Sequence, residues 1–249
     1  MKKLLLALLP IIVWGYGLRE VPAAAEMKPK EILIEADKAR GNLKGVAWLA
    51  EIESIEKGRK QFRALEIKNR GTNTLAKFVS PAKVKGRKLL MLDRNMWFIK
   101  PGLRKPMPIS PMQKLMGGAS YGDIASTNYA GDYHADFLVK EEINGEQCFL
   151  FDLVAKNKKA TYDRIRYWIS ERRLVGVKSD FYSVSGKLFK SATFEYDNRI
   201  AIDGAAHLFV SKMIISDALS DENVTTLSYS KIKLKNIPDS TFNLNLLIR

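Results

Sequence analysis

Cysteine is almost absent. Cys148 is the single one in 249 residues, so no disulfide can close within the chain and the fold must rest on packing. It lies in EQCFLFDLV, where a small buried hydrophobe is its simplest role and no neighbouring histidine supplies the partner of a catalytic thiol. Histidine is scarce too. His134 and His207 are the two present, far apart and without Cys or carboxylates at ligand spacing, which argues against a zinc site. Past the first residues, no apolar run reaches the roughly 20 residues of a membrane-spanning helix. Internal repeats, linkers and low-complexity tracts are missing, which leaves one domain.

What is present begins with a cationic Met1-Lys2-Lys3, an apolar run from Leu4 to Val13, and Ala23-Ala24-Ala25 before Glu26. That order reads as a secretory signal peptide over residues 1–25, cleaved after Ala25, with a mature periplasmic domain over 26–249. No cysteine offers a site for N-terminal lipidation. The formal charge is +14. Residues 1–25 carry three cations and one anion, so the remainder stands at +12. Export makes nucleic acid the wrong partner for such a basic chain, and transient contact with anionic head groups or an acidic protein fits better. The basic runs are Lys83, Lys85, Arg87 and Lys88, then Lys156, Lys158, Lys159, Arg164 and Arg166. On hairpins such runs are usually solvated faces.

The hydrophobic period divides the chain. Ile32, Ala36 and Ala39 fall at helical spacing within Lys30 to Arg40, before the Gly41-Asn42 stop. From Val46 onward the period is that of strands: Trp48, Ala50 and Ile52 up to Lys57-Gly58, then Phe62, Leu65 and Ile67. Further strands are expected at 75–79, 88–92, 95–99, 137–142, 147–155, 164–170, 174–182, 187–196, 208–215 and 224–234, separated by short turns. The connections are too short for crossover helices, so the sheet must be antiparallel. About eleven strands exceed what a flat sheet holds, and a mainly β fold follows: a strongly curved sheet forming an incomplete barrel. The long stretch from Pro106 to Tyr133 serves as its lid, and 111–116 could add a helical turn.

Several motifs carry chemistry on paper. Gly118-Ala119-Ser120-Tyr121-Gly122 matches the nucleophile-elbow pattern, with His207 and Asp180, Asp197 or Asp203 in triad order. The context is wrong, because an elbow needs a parallel strand before it and a helix after it. An enzyme is therefore not expected. Asp123, Asn128, Asp132 and Asp136 lack the spacing of a calcium loop and suit local turn bonding. Neither metal nor cofactor is expected. Met91, Met96, Met107, Met112 and Met116 cluster with Trp97, Phe98 and Leu115. Methionine fills irregular cores and equally suits surfaces that accept varied apolar shapes, and its place beside a Gly-rich loop favours a cavity rim.

The loop MQKLMGGASYGDIASTNYAGDY, with the export signal, the amphipathic helix and the meander, resembles the outer membrane lipoprotein-sorting proteins of the LolA/LolB type. That resemblance implies helices or loops over the open side of a half-barrel, an apolar cavity for lipid or lipoprotein acyl chains, and transport between envelope membranes as a monomer. It also implies an inner-membrane exporter of the resistance-nodulation-division type and an outer-membrane acceptor as partners. The candidate cavity and lid residues are Trp48, Leu65, Phe78, Leu90, Met91, Trp97, Met107, Met112, Leu115, Met116, Tyr121, Ile124 and Tyr129. The other function class is a sensor or adaptor domain of the same fold that reports lipid or envelope state to a membrane partner.

Overall fold

The computed structural model describes residues 27–248 apart from Ser126 and Asp221; the expected signal peptide lies outside the described residues. Helix α1, Pro29–Ala39, begins with proline in its first turn and a Glu31 carboxylate that accepts the Lys28 N–H at 3.0 Å. It buries Ile32, Leu33, Ala36 and Ala39 and stops at Gly41. There φ is +97° and the Trp48 ring stands 3.1 Å from where a Cβ would sit, so only glycine fits without strain.

The strands follow: β1 Val46–Glu56, β2 Arg59–Arg70, β3 Asn73–Ser80, β4 Lys88–Leu92, β5 Asn95–Ile99, β6 Met107–Ile109, β7 Lys114–Met116 and β8 Ala119–Ser120. After the short helix α2, Tyr129–Asp132, come β9 Tyr133–Ile143, β10 Glu146–Ala155, β11 Arg164–Ser170, β12 Gly176–Tyr182 and β13 Leu188–Glu195. The last are β14 Asn198–Ile202, β15 Ala205–Phe209, β16 Lys212–Asp217 and β17 Val224–Leu234, before α3, Leu244–Leu247. Two-residue turns with positive φ at both positions, Lys57-Gly58, Asp93-Arg94, Asn144-Gly145 and Asp203-Gly204, close four of the hairpins. Their twist matches that of the strands they join.

Thirteen strands form one antiparallel sheet in the order β6-β5-β4-β3-β2-β1-β17-β16-β13-β12-β11-β10-β9. It does not close into a barrel, in line with the expected incomplete barrel, though it has more strands than the sequence expectation of about eleven. Two meanders, β1 to β6 and β9 to β13 continued by β16 and β17, are stitched together by β1 against β17, with Val46 opposite Leu234. The free edges are β6 and β9. Residues 110–132 must therefore run from one edge of the sheet to the other, across the open side.

Alternation along each strand separates the two faces. In β1, Val46, Trp48, Ala50, Ile52 and Ser54 point inward and are buried. They meet α1 and the loop in the main core, which includes Leu65, Ile67, Phe151, Tyr167, Phe194, Phe209 and Leu227. On the outer face, residues 237–248 strap over β3 to β5: Ile237 and Phe242 pack on Leu90 and Ile99, with Trp97, Leu75, Leu244 and Leu247 around them. The Lys88 ammonium donates to the Leu247 carbonyl at 2.9 Å.

Two local expectations are corrected. Residues 111–116 form no helical turn. Gln113 N–H turns back to the Ser110 carbonyl at 3.1 Å, and β7 pairs with β8 around Gly117-Gly118. The expected strand 208–215 is split, because Val210 N–H goes to the Ala39 carbonyl and Ser211 N–H to that of Glu195. That break ends the separate hairpin β14-β15 and starts β16 in the main sheet.

Candidate functional site

The edge-to-edge loop lies directly on the inner face because its glycines let it. A Cβ at Gly117 would stand 2.1 Å from Thr225 Oγ1 and 2.5 Å from Ser54 Cβ; one at Gly122 would stand 2.1 Å from Thr161 Oγ1. The Gly118 N–H donates to Thr225 Oγ1 at 2.8 Å. The loop's own backbone bonds turn inward on itself, Tyr121 N–H to Gln113 and Gly122 N–H to Pro111. Side chains, rather than a sheet ladder, hold it down.

The central latch is ionic and buried. Lys190 on β13 and Asp123 of the loop meet at 3.0 Å with side chains 5% and 3% exposed. The same ammonium donates to the Gly118 carbonyl at 2.8 Å. The Tyr162 hydroxyl donates to Asp123 Oδ1 at 2.6 Å, and the Ser120 N–H to Oδ2 at 2.8 Å. Tyr162 is pushed well above the usual phenol range by burial and by the adjacent Asp123 carboxylate. At the β9 end, Asp132 pairs with Arg94 of the β4–β5 turn, and Asn42 after α1 donates to Asn128 at 3.2 Å. At the outer corner Lys114 pairs with Glu56.

Asp37 ties α1 to the loop. It is 1% exposed, and its Oδ2 accepts the Ala130 N–H at 2.9 Å. Burial pushes its carboxyl up to about 7, against the pull of the backbone bonds from Ala130 and Tyr129 and of Arg40. The folded protein thus holds this proton more tightly than an unfolded chain, whose aspartate titrates near 4. The Asp37 contribution favours the fold most below about pH 4 and is lost as pH rises towards about 7, over a span on the order of 2–4 kcal/mol. In thermal unfolding between pH 4 and 8, Asp37→Asn is expected to flatten that slope. A smaller slope of the same sign remains from Asp132, which burial also raises. A variant with the wild-type pH profile would remove Asp37 as its source.

Of the residues expected to line the site, Trp48, Leu65, Phe78, Met116, Ile124 and Tyr129 share the inner-face core, with Leu115 partly buried against it. Met91 joins Met96 and Ala125 in an adjoining cluster that Tyr121 borders. Leu90 and Trp97 do not belong there. They pair across β4 and β5 and face outward under the C-terminal strap, one residue out of step with Leu89 and Met91. Met107 and Met112 stand at the surface, 43% and 45% exposed. The gap beneath the loop, between Arg40, Asp123, Asn128 and Tyr162, is about 10 Å³, the room of one water molecule. A wider cleft of about 490 Å³ lies outside it, along the β6 edge, with Met96, Trp97, Ile109 and Pro111 on its walls and Lys158 and Lys159 at its rim.

Ser120 lies on a strand paired antiparallel to β7 and precedes a short 3-10 turn, Tyr121–Ile124. Its hydroxyl meets that of Tyr162 at 3.4 Å, and no histidine bonds to it among the described residues. His207 sits on the separate hairpin, opposite Ile200. Asp37, Arg40, Lys190 and Tyr162 were missed from sequence. Lys190 was readable in principle, since it alternates with Ala192 and Phe194, both inward-facing.

This fold is similar to that of a LolA superfamily protein from Nitrosomonas europaea: TM-score 0.79 and 29% identity over 87% of this chain and 98% of that one. A Vibrio parahaemolyticus domain described as an outer membrane lipoprotein-sorting protein gives 0.75 at 21% identity, covering 88% of this chain and 98% of that one. A DUF1329 family protein from Desulfovibrio piger gives 0.73 at 20% identity, covering 88% and 97%. No curated protein matches the chain. A family model described only as "uncharacterized protein"-like matches residues 70–249. The chain belongs to that family, and its fold is that of the LolA-type lipoprotein-sorting proteins.

Proposed function

We propose that this protein is an exported carrier that binds lipid or lipoprotein acyl chains on the inner face of the sheet and moves them between envelope membranes. In this reading residues 26–249 form one periplasmic domain after cleavage behind Ala25. An inner-membrane exporter of the resistance-nodulation-division type hands over the cargo, an outer-membrane acceptor takes it, and the basic runs make brief contact with anionic membrane surfaces. The observation that carries the reading is the loop over the open side. It is held by side-chain latches, so it can lift without breaking a single strand pairing of the main sheet. The likeness to the Nitrosomonas europaea protein supports it.

The energetics allow such a cycle. Each methylene taken from water gains about 0.8 kcal/mol, so one long acyl chain can offset the loss of several latches. Return of Asp123 to Lys190 and Tyr162 would help expel it. Organic extracts of natively purified protein, analysed by mass spectrometry, are expected to contain lipid at about one molecule per chain. Protein that remains lipid-free after purification from lipid-rich envelopes would sink the carrier reading. A second reading, the sensor or adaptor domain, is favoured by the β9 edge, where Phe137, Leu138 and Val139 are 46–47% exposed beside an unpaired backbone. Such a domain needs no stoichiometric lipid.

A further inference from the structure

The inner core is apolar at its margins and polar at its centre. Arg40, which ends α1, is 7% exposed. Its guanidinium carbon lies 4.4 Å from the centroid of the Phe194 ring and 5.4 Å from that of Tyr129. Nη2 reaches the Met213 sulfur at 4.0 Å, and Nη1 is buried with no hydrogen-bond partner. Among the described residues the buried ion pair is Lys190 with Asp123 and a partly buried one is Arg94 with Asp132, and neither includes Arg40. Asp37, on the same helix, turns its Oδ2 to the Ala130 N–H, while its Oδ1 is buried without a partner and makes no ion pair with Arg40.

The hydroxyls of Tyr167 and Tyr196 are also buried and unpartnered, and both phenols feel the Arg40 charge. The Tyr167 ring packs edge-on against Tyr129 at 5.2 Å and Phe194 at 6.4 Å, so Arg40, Tyr129, Tyr167 and Phe194 form one cage, with Tyr196 in the same core cluster. The Tyr129 hydroxyl bonds the guanidinium, but Arg40 Nη1 and the hydroxyls of Tyr167 and Tyr196, all able to donate, have no partner here. Leaving such groups without partners in a core is costly, most of all for the charged one. The set fits one missing complement, an anionic acceptor that arginine can hold through two parallel bonds.

We infer that Arg40, Tyr167 and Tyr196 form a carboxylate site, and that the cargo is a single-chain carboxylic amphiphile bound head-inward, its hydrocarbon lying along Trp48, Leu65, Phe78 and Met116. This rests on the carrier reading and narrows it. A planar carboxylate suits so enclosed a cage, whereas a phosphate with its ester substituents would have to enter the core with them.

The test compares dodecanoate with dodecanol, equal in chain and different in charge, by isothermal titration and by quenching of tryptophan fluorescence. The purified wild type is expected to bind the acid at least tenfold more tightly. Arg40→Met should erase that preference. Tyr167→Phe with Tyr196→Phe removes two unpaired hydroxyls, should leave thermal stability unchanged or higher, and should cut the preference several-fold. The pair keeps the test open should Arg40→Met fail to fold. Equal binding of acid and alcohol by the wild type, or an unchanged preference in the tyrosine pair, would overturn the carboxylate site while leaving the carrier reading intact. Binding of neither would overturn both.

Discussion

Replacing Lys190 with methionine is expected to cost about 3–5 kcal/mol, the range measured when one partner of a buried ion pair is removed. The methionine fills most of the lysine's volume, so the loss is electrostatic. Asp123 keeps the Tyr162 hydroxyl and the Ser120 N–H but loses its counter-charge within the core, and the Gly118 carbonyl loses its donor. The loop can relieve this by lifting Asp123 into water. Opening should show as tryptic cleavage after Lys114 before global unfolding begins. Adding Asp123→Asn to Lys190→Met should recover a large part of the loss, since no unpaired charge then remains. Denaturant unfolding of the single and double variants checks this. A single-variant loss under about 1 kcal/mol, a surface-pair value, would show that the latch is not electrostatic.

Met116 and Met112 should behave oppositely under the same substitution. Met116 is 2% exposed in the inner core, so Met116→Asp puts a carboxylate against Ile, Leu and aromatic neighbours without a partner. The cost is several kcal/mol, or the group stays protonated. Met112 is 45% exposed, and Met112→Asp should change stability by less than about 0.5 kcal/mol. If the carrier reading holds, lipid content falls with Met116→Asp and is retained with Met112→Asp. Unfolding midpoints and bound lipid per protein are measured on both. Equal sensitivity at the two positions would mean that the loop sits on the sheet in another register.

The strands were legible because one buried face imposes a period of two, and the turns because Lys57-Gly58 and Asn144-Gly145 mark tight hairpins. Asp203-Gly204 carried the same signal, yet no strand is expected at 198–202, and only the end of β15 falls within the expected strand 208–215. The division there depends on Val210 reaching the Ala39 carbonyl, a contact across the chain that no local pattern encodes. Which face a methionine or tryptophan chooses was less legible. Met91 and Leu90 are equally apolar, and only the C-terminal strap gives Leu90 a second buried surface to occupy. The buried charges were the least legible. Asp37 and Arg40 look like solvated helix residues until the loop is laid over them, and Asp123 finds its partner 67 positions away.

The seam between β1 and β17 has a bearing on how the chain reaches this form. Because the first long strand lies beside the last, at the middle of the sheet rather than at a rim, a chain threaded out from its N-terminus cannot complete that middle until its final strand has emerged. Until then β1 offers a bare ladder of amide groups to any passing strand. Joining residues so remote in sequence also makes the step slow. The order of strands thus builds a delay into folding, one that leaves the chain dependent on protection from its own copies while it waits.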